Sequence, residues 1–463
     1  MVFSSLTFLF LFFPLVMVLY YALPWRGYHN MLLLVFSLVF YAWGEPVYIV
    51  LMLLSSLAAF LGGLLMERFR QRKTARMLTF VVTAALITAN LLVFKYLNFF
   101  CDNLSALLGM EIAVPQLRLP IGISFYTFQI LSYVIDLYWG KIGLQRSYLD
   151  LTLYVSFFPQ LIAGPIVRYS DIAMQLQNRA HSWNDAMLGI RRFLVGLGKK
   201  VILADNFALL IELFRKSQEP SVLFYWMYAI AFTLNIYFDF SGYSDMAIGL
   251  GRIFGFHFIE NFNYPYLSKS VTEFWRRWHM SLGSWFRDYV YIPLGGNRVS
   301  KARWIFNIFT VWMLTGLWHG AAWNFVLWGL LFAVLLLIEK WIPAIEKLPA
   351  VLRHSYVLLA VMLSFVLFNA QTLSQAGSDL GAMFGFAGLP VVSAQTIYYL
   401  KSYGLLFCVG FVGATPLVKN TASRLDQTKA GAVLEVVMLI GLLLVCTAYL
   451  VDGSFSPFLY FRF

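Results

Sequence analysis

Two histidines carry the strongest chemical signal in this chain. His319 lies in Leu314-Thr315-Gly316-Leu317-Trp318-His319-Gly320-Ala321-Ala322-Trp323-Asn324, a segment flanked on both sides by apolar residues for the length of a membrane span. An imidazole buried there costs free energy unless it is paired or used. With an ordinary pKa of about 6.5, an imidazole suits general-base work near neutral pH. Gly316 and Gly320 remove side chains beside it, which predicts room for a substrate to approach the backbone. The competing reading is a structural histidine satisfied by a neighbouring helix. His279, in Glu273-Phe274-Trp275-Arg276-Arg277-Trp278-His279-Met280-Ser281, has charged neighbours. It reads either as a residue that orients a substrate or partners His319, or as interfacial packing. His29, His181 and His354 sit in or near interfacial loops and read as solvated. His257, in a polar stretch, is left without a role.

A third constellation is the run Tyr237-Phe238-Asp239-Phe240-Ser241-Gly242-Tyr243-Ser244-Asp245-Met246-Ala247. Two carboxylates six apart beside an apolar span are costly. They serve as acid and base, or they pair with arginines such as Arg276 or Arg277 and fix the helix that presents the histidine. The second reading is preferred, so Asp239, Tyr243 and Asp245, together with Asn324, are taken as supporting residues. No P-loop, Gly-rich dinucleotide turn, HExxH or nucleophile elbow appears in a fitting context. Cys101, Cys408 and Cys446 lack metal-ligand spacing, so no metal and no bound cofactor are expected.

Such residues need elements to hold them, and composition says what kind. Of 463 residues, 60% are hydrophobic and 12% charged. A soluble domain carries about 25% charged residues, so this chain cannot cover its own apolar surface and lipid must be part of its solvent. The net charge of +12 sits in short basic loops between apolar runs, which is a topology signal and not a nucleic-acid surface. A span needs about 20 apolar residues. Candidate runs are 5–24, 31–44, 46–66, 77–97, 119–139, 222–238, 304–319, 321–339, 355–371, 398–417 and 431–451. The run 148–167 holds Pro159, Gly164 and Pro165 and reads as broken or re-entrant. Eleven or twelve crossings follow, the first of them retained in the mature protein. The basic loops 67–76, 140–147, 168–200, 268–303 and 419–429 fall on the cytoplasmic side, and both termini then come out on the extracytoplasmic side. Amphipathic stretches at 184–214 and 270–290 read as interfacial helix. In the second, Phe274, Trp278, Leu282 and Trp285 recur at helical spacing. No internal repeat is evident, which argues against a transporter made of duplicated halves.

Four extended motif blocks resemble the membrane-bound O-acyltransferase (MBOAT) family, in its bacterial branch of alginate and peptidoglycan O-acetylation proteins. They are Leu119-Pro120-Ile121-Gly122-Ile123-Ser124-Phe125-Tyr126-Thr127-Phe128-Gln129, Phe157-Phe158-Pro159-Gln160-Leu161-Ile162-Ala163-Gly164-Pro165-Ile166, a block from Tyr237 through Glu260-Asn261-Phe262 and Thr272–His279 to Gly295-Gly296-Asn297-Arg298, and Leu317-Trp318-His319-Gly320. The likeness covers residues 1–370 well and the last 90 more loosely.

The resemblance implies an all-α polytopic fold around a central tunnel or funnel, as one integral-membrane domain over 1–463. N-terminal spans would occupy 1–140, a catalytic core 141–340 and C-terminal spans 341–463. It implies that His319 is the catalytic residue and His279 the second important position. The donor would be cytoplasmic acetyl-CoA, with Arg276, Arg277 and Arg298 offered as ligands of its phosphates. The acceptor side would involve an extracytoplasmic SGNH-type O-acetyltransferase partner and a polysaccharide, in a bacterial cytoplasmic membrane. The ending Phe458-Leu459-Tyr460-Phe461-Arg462-Phe463 is similar to an aromatic C-terminal motif whose tyrosine is implicated as an acyl relay. By that resemblance Tyr460 would accept the acyl group on its phenol, with His319 as base. An interfacial aromatic anchor is the alternative. Two other functions stay open: transfer of D-alanine or another acyl group from a carrier protein, and non-catalytic transport of an acyl donor.

Overall fold

The computed structural model describes residues 1–23, 25–115 and 117–453; Tyr460 and the rest of the aromatic C-terminal motif lie outside the described residues. The chain is an all-helical, multi-pass membrane protein, with no β-strand among the described residues. Among the described residues, seven helices are long and apolar enough to cross a bilayer: Ile49–Arg68, Lys73–Leu108, Val222–Ile253, Trp323–Trp341, Ala350–Asn369, Ala394–Gly413 and Lys429–Val451. Their outward faces are apolar, as at Val437 and Leu444, which suits a lipid solvent.

Four other expected spans are helical but shorter or more polar. Phe8–Ala22 and Ile123–Trp139 are short, and the latter carries Gln129 and Asp136. Arg26–Gly44 opens on Arg26, His29 and Asn30, and Lys301–His319 opens on Lys301 and Arg303 and contains Asn307. The helix from Lys73 runs on to Leu108 through a π-helical turn at Leu92–Tyr96, eleven residues past the end of the expected run 77–97.

The chain forms two compact units. The first comprises Met1–Phe193 and Ser244–Ile259. Its helices Ile49–Arg68 and Lys73–Leu91 make a hairpin, and a Cβ on Gly62 would overlap the Thr83 side chain. Arg76 donates to the carbonyls of Leu137 (3.2 Å) and Tyr138 (2.8 Å), the negative end of the Ile123–Trp139 helix. The expected break after residue 148 is present: helix Tyr148–Ser156 gives way to irregular backbone over 157–168, and Phe157–Val167 are buried. Side chains satisfy that backbone. Ser37 Oγ accepts from the Phe158 N–H (3.1 Å), Gln160 Nε2 donates to the Tyr154 carbonyl (2.5 Å), and the Tyr154 hydroxyl bonds the Val167 carbonyl (3.0 Å). Gly122, at φ +78°, packs against this stretch, where a Cβ would come within 2.9 Å of the Leu161 carbonyl oxygen.

In this unit, too, His29 is buried and not solvated. Its ring stacks on Tyr20 at 4.3 Å and its Nε2 bonds the Leu23 carbonyl at 2.7 Å. Its partner ring comes from the N-terminal helix, so nothing in its local sequence announces the burial.

The second unit, Leu194–Tyr243 and Glu260–Phe463, holds both candidate histidines. Its core gathers aromatic side chains from helices Val222–Ile253, Trp323–Trp341 and Ala350–Asn369 around Trp278. Helices Lys301–His319 and Trp323–Trp341 form a tight hairpin. A Cβ on Gly329 would overlap the Trp312 carbonyl oxygen, and one on Gly316 the Phe325 carbonyl oxygen. The stretch 270–290 is not one helix. It is Val271–Arg277 and Met280–Phe286, followed by a π-helical turn at Arg287–Tyr291. The break falls at Trp278 and His279, and His279 has a left-handed backbone at φ +46°. Phe274, Trp278, Leu282 and Trp285 are nonetheless all buried.

Candidate active site

His319 is the last residue of the Lys301–His319 helix and is 3% exposed. The chain then turns through extended Gly320 (φ −170°) into the Trp323–Trp341 helix. That turn sets the imidazole among aromatic rings. Trp328 and Phe368 stand nearly perpendicular to it, with ring centroids 5.0 and 5.2 Å away, and Trp318 lies at 5.1 Å. Asn324 pins the far wall: its Nδ2 donates to the carbonyls of Phe368 (3.3 Å) and Ala370 (2.9 Å) at the end of helix Ala350–Asn369. The expectation for Gly316 and Gly320 needs correcting. A Cβ on either would strike Phe325, its backbone carbonyl in the first case and its ring in the second. These glycines let two helices meet; they do not open a path for a substrate.

His279 is built from the other side. Ser270 caps the Val271–Arg277 helix, its Oγ accepting from the Glu273 N–H (2.9 Å), and the Glu273 carboxylate reaches back to accept from the Lys269 N–H (2.8 Å). The buried carboxylate of Glu339 accepts from the N–H groups of Val271 (2.5 Å) and Thr272 (3.1 Å) and from the Thr272 hydroxyl (3.1 Å). A carboxylate at a helix N-terminus is favoured by the free N–H groups and the dipole. Glu339 thereby ties this short helix to the hairpin that carries His319. Trp275 adds aromatic contact, 5.6 Å from Trp328 and 4.7 Å from Trp312.

The irregular segment before the helix finishes the frame. Asn263 N–H donates to the Arg277 carbonyl (2.9 Å) and Met280 N–H to the Asn261 carbonyl (3.0 Å). His279, 1% exposed, packs edge-on against Phe240 (4.6 Å), and its Nδ1 lies 3.1 Å from Asn261 Oδ1. Burial pushes its imidazole pKa down to about 3, so the ring is neutral at physiological pH. Its centroid is 5.5 Å from that of Trp318. One indole therefore borders both imidazoles, and the structure does bring His279 and His319 to one place.

The carboxylates of the Tyr237–Ala247 run do not pair with Arg276 or Arg277. Asp239 meets Lys200 at 2.7 Å, and Lys200 also meets Asp205 at 2.7 Å, all three buried. A π-helical turn at Lys199–Ala204 aligns residues five apart, which sets Lys200 and Asp205 side by side. Gly242 permits the approach, since a Cβ there would stand 2.8 Å from the Gly196 carbonyl oxygen. Burial lowers the Lys200 pKa, but Asp239 and Asp205 more than offset it and the net shift is upward. Asp245 belongs to the first unit, where it takes Arg192 at 2.9 Å. Lys200 lies in the Lys199–Ala204 turn and Arg192 in the helix Trp183–Gly198, and sequence distance hid both pairings. Tyr243 is buried. Of the arginines offered to a donor, Arg276 and Arg298 are exposed, while Arg277 is held by Glu273 (2.8 Å) and the Asn263 carbonyl (3.2 Å).

Sequence reasoning passed over Asn261, Glu339 and the indoles of Trp318 and Trp328. Asn261 stood inside a quoted motif, and Glu339 is an acidic residue closing an apolar run; either was a usable signal.

Similarity to known proteins now bears on this arrangement. The profile of the membrane-bound O-acyltransferase family matches residues 143–374, the stretch that includes both histidines. The probable alginate O-acetylase of Azotobacter vinelandii is 39% identical over the full length of both chains. Its counterpart in Pseudomonas aeruginosa is 42% identical over 83% of this chain and 76% of the relative. The peptidoglycan O-acetyltransferase of Helicobacter pylori is 30% identical over all of this chain and 98% of its own. With half of its length matched by the family profile and full-length likeness to O-acetylating relatives, this chain belongs to the membrane-bound O-acyltransferase family.

Proposed function

We propose that this O-acyltransferase takes an acetyl group from cytoplasmic acetyl-CoA and passes it across the membrane. The recipient is an extracytoplasmic acceptor or an SGNH-type partner, for O-acetylation of an exported or cell-wall polysaccharide of the alginate or peptidoglycan kind. The observation that carries the reading is the pair of buried histidines bordering one indole, at 5.1 and 5.5 Å between centroids. The full-length similarity to alginate and peptidoglycan O-acetylating relatives supports the polysaccharide class.

The chemistry follows from the residues. An acceptor hydroxyl attacks the thioester carbonyl, a C–O bond forms and the C–S bond breaks. His319 takes the hydroxyl proton and returns it to the departing thiolate, so the donor leaves as a thiol. His279 orients the acyl group. Buried N–H donors stand beside each ring: Asn261 Nδ2 next to His279 and Trp328 Nε1 next to His319, neither with a protein acceptor among the described residues. Such donors suit the negative charge that develops on the acyl oxygen. In this reading Tyr460 is the first acceptor, both termini are extracytoplasmic, and exposed Arg276 and Arg298 attract the donor's phosphates.

Purified protein with labelled acetyl-CoA tests it. His319→Ala is expected to lose about 10²–10⁴-fold of thioester turnover, and the C-terminal peptide of the wild type is expected to carry label on Tyr460. Wild-type turnover in His319→Ala overturns the assignment of the base. An unlabelled Tyr460 in a turning-over enzyme removes the relay.

A further inference from the structure

We infer that Asn261 is a positioning residue for His279, holding the imidazole in its Nδ1–H form so that Nε2 is the basic nitrogen. The inference rests on the reading of His279 as part of the acyl-transfer machinery, but its geometry stands separately. Asn261 is fully buried, as are His279 and Ser281. Its Oδ1 lies 3.2 Å from the Ser281 backbone N, 2.9 Å from Ser281 Oγ and 3.1 Å from His279 Nδ1.

A backbone N–H can only donate. The Asn261 atom facing it must therefore be the carbonyl oxygen and not the NH2 group, which settles the orientation of the amide. An amide oxygen can only accept, so the His279 nitrogen facing it must carry a proton. Burial keeps the ring neutral, with a single proton to place. That proton is then on Nδ1, and the lone pair is on Nε2.

The backbone makes this arrangement hard to evade. Met280 N–H to the Asn261 carbonyl and Asn263 N–H to the Arg277 carbonyl fasten the two segments together whatever the side chain at 261. The left-handed conformation of His279 is sparsely populated by residues other than glycine. It persists because its surroundings hold it. The buried amide commits one of the two imidazole nitrogens and leaves the other to face whatever enters beside Trp318.

The test uses the full chain, labelled with ¹⁵N-histidine and reconstituted in lipid nanodiscs, with the His279 signals assigned by subtraction of a His279→Gln spectrum. Wild type is expected to show Nδ1 protonated and Nε2 bare. Asn261→Asp retains an acceptor and should keep that tautomer. Asn261→Leu, near in volume but without an acceptor, should lose the tautomer preference and lower acetyl transfer by about tenfold or more. A wild-type ring protonated on Nε2 overturns the inference, as does an Asn261→Leu enzyme with Nδ1–H intact. Should Asn261→Leu fail to fold, the wild-type and Asn261→Asp spectra still decide. Full activity in His279→Gln would instead remove His279 from the reaction while leaving the tautomer result to stand on its own.

Discussion

Replacing Lys200 by Met should destabilise this protein more than almost any other single charge removal. The ammonium is buried between two carboxylates, 2.7 Å from Asp205 Oδ1 and 2.7 Å from Asp239 Oδ1. Their side chains are 8% and 3% exposed, and that of Lys200 is 4% exposed, so water cannot screen what remains. Removing one partner of a buried ion pair costs about 3–5 kcal/mol, because the other charge is left uncompensated. Here two carboxylates would face each other. The folded fraction in a denaturant titration of detergent-solubilised protein should shift by roughly two to nearly four orders of magnitude in equilibrium constant, at about 1.4 kcal/mol per decade. The double variant Lys200→Met/Asp239→Asn should recover part of the loss. A coupling energy of about 1–3 kcal/mol is expected for groups in direct contact. A Lys200→Met protein as stable as wild type, or strictly additive single and double variants, would refute the claim that this triad binds helix Val222–Ile253 to the Lys199–Asp205 segment.

Other consequences are equally measurable. Gly329→Ala should cost about 1–3 kcal/mol or more, because its Cβ overlaps the Trp312 backbone oxygen, while Gly441→Ala, with open space around it, should be silent in the same thermal-shift assay. Asn324→Leu should leave the buried carbonyls of Phe368 and Ala370 without this donor, at about 1–3 kcal/mol, and slow acyl transfer by loosening Phe368 against the His319 ring. Glu339→Gln keeps the shape but weakens the cap on Val271 and Thr272, so it should lose less stability than Glu339→Ala. Stability should also fall in acid. The folded state holds His279 neutral down to about pH 3, whereas the unfolded chain takes up a proton below about pH 6.5. The contribution is therefore complete above about pH 6.5 and declines by up to ~1.4 kcal/mol per unit below it. A His279→Gln variant should give a flatter curve over that window.

Much of this was legible from residue order. The apolar runs found the spans, and Pro159, Gly164 and Pro165 marked the broken segment, because helix length and helix breakers are local properties. His319 stood out because an imidazole in an apolar run is conspicuous, and extended motifs tied it to His279. What stayed hidden was pairing. Lys200 and Asp239 are 39 positions apart, and Glu339 and Val271 are 68 apart, so nothing local links them. The glycines around His319 were read as openings because small residues admit either a ligand or a neighbouring helix, and only the position of Phe325 decides. The break at Trp278–His279 was invisible for a related reason. Apolar residues at helical spacing are buried there whether or not the helix is continuous, and the left-handed His279 is held by hydrogen bonds from residues 261–263.

The Lys301–His319 helix also acts as a ruler. Nineteen residues in one helix separate Lys301 from His319 by about 27 Å along the axis, close to the hydrocarbon thickness of about 30 Å. Gly316 and Gly329 lock the His319 end of this element to its neighbour. In the proposed reaction, a donor whose charged head stays at the Lys301 end would extend a slender arm a comparable distance to present its acyl carbon at His319. If the donor is the acyl thioester proposed above, arm length becomes a selection criterion in its own right: short thioesters that match the reactive group but lack the reach are expected to be poor donors.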